Sequence, residues 1–219
     1  MSDSHEPILI DIAKYYSDKL TEHGESPHGV DWNGEEGQTL RFAQLCKIID
    51  LSSGFSINDL GCGYGALYDF LLQQHTYFSY AGIDISEKMI AAAHRRHSED
   101  SNESDCKNVQ ARFLCASQPD QVADYGVASG IFNVRLEKSD AEWKAYMMDG
   151  LDKLHHTSKK GFAFNCLTSY SDADRMRDYL YYADPCEIFD FCKRRYSRNV
   201  ALLHDYDLYE FTILVSKKS

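Results

Sequence analysis

Apolar residues recur along this chain with two different periods. From residue 8 to 20 they follow the three-to-four spacing of a helix, and again from about 35 to 51. Between these helices, "TEHGESPHGVDWNG" (21–34) is punctuated by glycine and proline and reads as a loop. Asn33 and Glu36 stand at capping-box spacing ahead of the second helix. Beyond residue 51, short apolar runs alternate with helical patterns. "FSIND" precedes "GALYDFLLQQH", where Leu67, Phe70 and Leu71 share a face. "YFSYAGIDI" precedes "SEKMIAAAHRRH", with Ser86 placed as its N-cap. "VQARFLCAS", "YGVASGIFNV", "GFAFNCL" and "NVALLHDYDLYEFTILVSK" read as further strands, and Trp143, Met147, Leu151 and Leu154 have the core spacing of another helix.

Strands alternating with helices predict a doubly wound, three-layer α/β sandwich with a mostly parallel sheet of seven strands. Two β-rich runs flank "HDYD", so the sheet should end in an antiparallel hairpin with its last strand reversed. Residues 1–53 are expected to form a helical cap or lid, and 54–219 the core. "HSEDSNESDCKN" reads as a solvated insertion.

The first strand ends in Asp59, and three glycines follow before a helix begins. Strand, glycine turn and helix N-terminus together form a nucleotide-binding device in doubly wound sheets. Asp84, 23 positions beyond Gly61, ends the next strand where a carboxylate can accept both hydroxyls of a ribose. This ordered run favours nucleotide binding over an ordinary glycine-rich turn with a capping aspartate. Gly61-x-Gly63-x-x-Ala66 also satisfies the dinucleotide fingerprint, so a nicotinamide-dependent oxidoreductase is one alternative. Against it, Asp59 suits an ammonium group and repels a pyrophosphate. The helix after the fourth strand also lacks a Tyr-x-x-x-Lys pair.

"INDLGCGYG" resembles motif I of the class I S-adenosylmethionine-dependent methyltransferases, and "YAGIDIS" their ribose-binding strand. "VASGIFNV" and "VALLHDYDLYEFTILVSK" are similar to their fourth strand and reversed terminal hairpin, so the likeness spans about 55–217. The loop "HGESPHGVDWN" is similar to one in a set of bacterial enzymes of this family, with no substrate attached. The resemblance implies a Rossmann-like fold, S-adenosyl-L-methionine as cofactor and S-adenosyl-L-homocysteine as its product. It implies that Asp59 and the main-chain amides of Gly61, Cys62, Gly63 and Gly65 hold the methionine end. Asp84 would grip the ribose, Ile85 would pack on the adenine, and the backbone of Ala116 and Ser117 would meet the adenine edge. Gly130 and Ile131 would lie beside the methyl group.

Methyl transfer is an in-line displacement that needs alignment and water exclusion, sometimes proton removal, and no metal. Acceptor groups are sought at the carboxyl ends of the strands. Phe132, Asn133 and Arg135 follow the fourth strand; Asn165, Thr168 and Tyr170 follow the fifth. The "HDYD" turn places His204, Asp205 and Tyr206 at the same edge. The catalytic candidates are therefore His204, Tyr206 and Asn133, with His204 as general base because histidine exchanges protons near neutral pH. A hairpin-turn histidine with a structural partner is the plain alternative. Tyr15, Tyr16, His23, His28 and Trp32 suit a lid over a small acceptor, to which Arg135 and Tyr170 would also contribute. Each tyrosine taken singly also reads as the buried side of a helix. "YLYYADP" either walls the acceptor pocket or packs the crossover into the hairpin. His155 and His156 fall at the amino end of the fifth strand, the wrong edge for catalysis.

Composition narrows the partners. The chain has 219 residues, 43% of them hydrophobic, enough for one domain with a sizeable core. Its net charge of −11 opposes a general nucleic-acid binder. No window approaches a membrane span, and the N-terminus has no basic leader, so neither a membrane nor export is expected. Seven widely spaced cysteines without a CxxC pair suit neither zinc nor a disulfide framework, and read as thiols of a reducing, cytoplasmic setting. The expected activity is methyl transfer to a small-molecule acceptor; a cofactor-binding scaffold without turnover is the other alternative.

Overall fold

The computed structural model describes residues 5–98 and 108–217, and the part of the expected insertion from 99 to 107 lies outside the described residues. Seven strands are formed there: β1 (Phe55–Leu60), β2 (Tyr77–Asp84), β3 (Asn108–Cys115), β4 (Ala123–Ala128), β5 (Ser158–Leu167), β6 (Asn199–Leu203) and β7 (Glu210–Ser216). They make one sheet in the order β3-β2-β1-β4-β5-β7-β6. β7 runs antiparallel to both β5 and β6, while the pairs from β3 across to β5 are parallel. Chain order reverses between β1 and β4, which opens a crevice at the carboxyl ends of those strands.

The period-two pattern of β5 and β7 explains why both faces are covered. Phe162, Phe164 and Cys166, with Phe211, Ile213 and Val215, join one core; Ala163 and Leu214 join the other. The first core is closed by α5 (Asp140–His156) and α6 (Pro185–Arg195), and by Ile8 and Ile12 of α1 (Glu6–His23). The second is closed by α2 (Glu35–Cys46), α3 (Ala66–Gln74) and α4 (Glu87–His97). Local signals start several helices. The Ser86 side chain accepts from the Met89 amide, and Ser139 with Glu142 completes a capping box at α5. Trp143, Met147, Leu151 and Leu154 are all fully buried. His155 and His156 end α5, away from the crevice.

Two expectations need correction. Asn33 does not cap α2: Gly34 takes the N-cap and makes no side-chain bond, which leaves Asn33 outside the helix. α2 also ends at Cys46, because the amides of Ile48 and Ile49 bond three residues back and tighten the chain toward β1. Ile48 and Ile49 remain buried, so their apolar spacing mimicked a longer helix. The described part of the expected cap, residues 5–53, holds three helices. α2 packs on β5 and β7 as part of the sandwich, whereas α1 and a short 3-10 helix, Pro27–Val30, face the carboxyl ends of the strands across a cavity. α1 is fastened to the core by a Ser17–Ser86 hydroxyl pair at 2.8 Å and a Lys138–Asp11 ion pair at 2.8 Å. No helix among the described residues is long and apolar enough to cross a membrane.

Candidate active site

β1 delivers Asp59 to the crevice, and the chain then turns through Gly61, Gly63 and Gly65, all with positive φ. At Gly61 glycine is required twice over: φ is 80°, and a Cβ would lie 2.0 Å from Cγ2 of Ile131. The expected cradle of free amides is not what this loop offers. The amides of Gly61 and Cys62 donate to the Ile83 carbonyl at 2.7 and 3.1 Å, that of Gly63 to Asp84 Oδ2 at 3.0 Å, and that of Gly65 to the Cys62 carbonyl at 3.0 Å. A turn with three left-handed residues has to be held by hydrogen bonds, and these occupy four of its donors. What faces the cavity is Cβ-free backbone and two carboxylates.

Those carboxylates carry the electrostatics. Asp59 is 2% exposed and accepts a 2.6 Å hydrogen bond from the Tyr80 hydroxyl. Burial, reinforced by the charge of Asp84 and opposed by the Tyr80 bond, raises its pKa to about 7. Asp84 accepts from the amides of Gly63 and Ser86, at 3.0 and 2.8 Å, yet burial still pushes its pKa up. A carboxylate offers about four acceptor positions, so Asp84 keeps acceptor capacity beyond these amides. Among the described residues no cation lowers the pKa of either group. Opposite them, Ser129 Oγ is buried and has no hydrogen-bond partner among the described residues. All three line a cavity of about 1060 Å³, open mouth included, with Ile85, Met89, Ala116 and Ser117 at one end and Tyr16, Val30 and Trp32 over it.

Tyr16, Val30, Trp32 and Gly130 also line a second, wider cavity of about 1930 Å³, again with its mouth. These four residues are thus a neck between the two spaces. Asn133, Tyr179, Leu180 and Tyr182 contribute to the second wall, so the "YLYYADP" run does face it. Asn133 is held in place because its Oδ1 accepts from the Leu167 amide at 3.0 Å. Burial, with the charges of Asp31 and Asp84, keeps the Tyr16 phenol neutral well above its ordinary range.

Comparison with known proteins agrees with this geometry. A methyltransferase-domain family model matches residues 57–151, from within β1 to within α5. The chain is 57% identical over 173 residues to Rv1506c of Mycobacterium tuberculosis, covering 79% of this chain and 99% of that protein, whose name assigns methyltransferase and no acceptor. The chain belongs to the class I S-adenosylmethionine-dependent methyltransferases. Its fold is shared with magnesium protoporphyrin IX methyltransferase ChlM of Synechocystis PCC 6803, solved with bound S-adenosylmethionine (TM-score 0.66, 15% identity, 99% of this chain and 100% of that one). It is also shared with the small RNA methyltransferase HEN1 (TM-score 0.61, 18% identity, 83% of this chain but 26% of that one). S-adenosylmethionine is the cofactor, which sets the nicotinamide alternative aside.

The methyltransferase gathers most of the expected cofactor set in the first cavity: Asp59, Gly61, Cys62, Gly63, Asp84, Ile85, Ala116, Ser117, Gly130 and Ile131. Gly65 is not in its wall; it stands behind, as the N-cap of α3. The acceptor set divides. Tyr16, Trp32 and Asn133 reach the neck or the second cavity. Tyr15 instead donates to Asp31 Oδ2 at 2.8 Å, and His28 is exposed beside His23. Arg135 ties its own turn to the 180 segment, donating to the Lys138 and Leu180 carbonyls. Tyr206 is buried with its hydroxyl 2.9 Å from Thr212 Oγ1. Tyr170 is 68% exposed, and His204 next to it lines neither cavity. The β6–β7 turn does reach the carboxyl edge, but its first residues face outward. Arg41, Glu210 and Ser129 escaped the sequence reading. An acid opening the apolar run "EFTILV" was the one visible signal.

Proposed function

We propose that this methyltransferase transfers the methyl group of S-adenosylmethionine to a small molecule that enters through the second cavity. The observation that supports it is the shared neck: one wall of Tyr16, Trp32 and Gly130 serves both spaces, as an in-line displacement between two bound molecules requires. The cap of α1 and the Pro27–Val30 turn over the first cavity suits a compact acceptor rather than a polymer. The second cavity is lined by Asp31, Glu35, Glu36, Asp207 and Glu210 against Arg41, Arg175 and Arg177, a balance that disfavours a phosphate backbone.

Bound in the first cavity, S-adenosylmethionine supplies a methyl group already activated by positive sulfur. Asp59 and Ser129 would hold its amino-acid end, Asp84 the ribose hydroxyls, and Ile85 and Met89 the base. The chain's own work is then positional. The buried, uncompensated charge of Asp59 favours an ammonium partner, Ser129 Oγ gains the hydrogen bond it lacks, and Tyr16 and Trp32 exclude water from the neck.

Incubating the enzyme with methyl-labelled cofactor and a bacterial extract fractionated by size tests the acceptor class. Label should appear in the low-molecular-mass fraction. Label confined to RNA or protein contradicts the proposal.

A further inference from the structure

A closed ring of contacts surrounds the neck. Glu210 opens β7 and is 1% exposed. Its two carboxylate oxygens receive Arg41 Nε at 2.9 Å, Arg41 Nη2 at 2.7 Å and Asn165 Nδ2 at 2.9 Å. Asn165, also fully buried, accepts from the Gly130 amide at 2.7 Å through Oδ1. The other side of the Arg41 guanidinium lies 3.8 Å from the centroid of the Trp32 ring. The edge of that ring closes the circuit, filling the space where a Cβ on Gly130 would stand 2.4 Å from Trp32 Cζ2.

We propose that Arg41, Glu210 and Asn165 are positioning residues that hold the Trp32 indole and the Gly130 main chain at the spacing methyl transfer needs. The inference rests on the two-cavity reading above. Stability alone is a poor reason for this ring, because desolvating a buried ion pair offsets most of its attraction and an apolar pair would pack as well. What the ring adds is geometry. Trp32 belongs to the N-terminal segment and Gly130 to the turn after β4, and nothing in the local chain sets one against the other. A planar guanidinium can grip a carboxylate with two N–H groups and lie flat on an indole at once; an ammonium cannot.

Arg41→Lys separates the two roles, since lysine still neutralises Glu210 but releases the indole. The chain has two tryptophans, so 5-fluorotryptophan labelling and fluorine NMR report Trp32 directly, with buried Trp143 as internal control. The expected result is a shifted or broadened Trp32 signal, an unmoved Trp143 signal, and affinity for S-adenosylhomocysteine weakened about tenfold by calorimetry. The double variant Arg41→Gln/Glu210→Gln, which leaves no unpaired charge, should give the same signature. A Trp32 signal and affinity equal to the parent's overturn the inference. So does a joint movement of both signals with a fall in Tm, which marks a merely structural ion pair. A parent that fails to bind S-adenosylhomocysteine instead refutes the cofactor-cavity reading, while the Trp32 signal still judges the ring.

Discussion

Asp59 and Asp84 in the first cavity are held in the opposite way to Asp31 and Glu210 in the second. In the first, Asp59 and Asp84 are held by neutral donors only, and both are pushed toward protonation. In the second, Asp31 is paired with Lys19 at 2.8 Å and Glu210 with Arg41 at 2.7 Å. An acid without a cation is a demand for one from outside, whereas a paired acid is already satisfied and fixes shape. Charge is therefore expected to govern recognition in the first cavity, and geometry in the second.

The sharpest way to break that contrast is to neutralise one acid on each side. Asp84→Asn should weaken S-adenosylhomocysteine binding about 100-fold by calorimetry, since two hydrogen bonds to a charged group are weakened at once. Asp31→Asn should leave that affinity within about threefold, because its partners lie in the cap and near the surface. Equal losses in the two variants would show that the distinction is empty.

Gly130→Ala tests the geometric half. The residue has φ 77°, and a methyl there meets the Trp32 ring. Denaturant titration should show a loss of about 2–3 kcal/mol, combining left-handed strain with a displaced indole. A loss below about 0.5 kcal/mol would mean that Trp32 moves freely and the neck is not a fixed aperture.

The pH dependence of binding sharpens the charge half. The folded pKa of Asp59, about 7, lies above the ordinary carboxylate value of 3.8. Its contribution to the stability of the ligand-free protein is therefore present below pH 4 and is lost as pH rises through 7. Binding an ammonium group favours the ionised form, so below pH 7 the complex should form with proton release. Affinity for S-adenosylhomocysteine should rise about tenfold from pH 5.5 to 7.0. Asp59→Asn should flatten the profile; a wild-type profile that is already flat removes Asp59 from the amino-acid subsite.

The same contrast explains what was legible in the sequence. The floor of the first cavity is one β1–α3–β2 unit plus the strand ends beside it, and its acids and glycines sit at fixed offsets along the chain. Turn chemistry and the family resemblance therefore read out its acids, its glycine loop and the ends of β3 and β4, but not Ser129 or, Tyr16 apart, the residues that α1 and α5 contribute. The direction of the loop amides did not follow, because hydrogen bonds to the next strand are set by register rather than by residue type. The second cavity draws on residues 16, 30–41, 130–134, 167–182 and 207–210, which meet only through the tertiary fold. Arg41 looked like one charge among many on a helix face. Only its bond to Glu210, 169 positions away, gives it meaning.

His204 is where a chain-order argument reached the right edge and the wrong direction. The β6–β7 hairpin does turn at the carboxyl ends of the strands, but the imidazole faces solvent, with ring neighbours only in Tyr170 at 6.0 Å and Phe211 at 6.3 Å among the described residues. A general base has to come within hydrogen-bond reach of the proton it takes, directly or through one water. His204 lines neither cavity, so a base role would require the hairpin to move. His204→Ala should leave stability within about 0.5 kcal/mol, as for other exposed positions, and label transfer to the acceptor fraction within about twofold. A tenfold loss of transfer with unchanged cofactor affinity would show that the hairpin swings inward during turnover. The aperture framed by Trp32 and Gly130 would then be completed from the β7 side as well as from the cap.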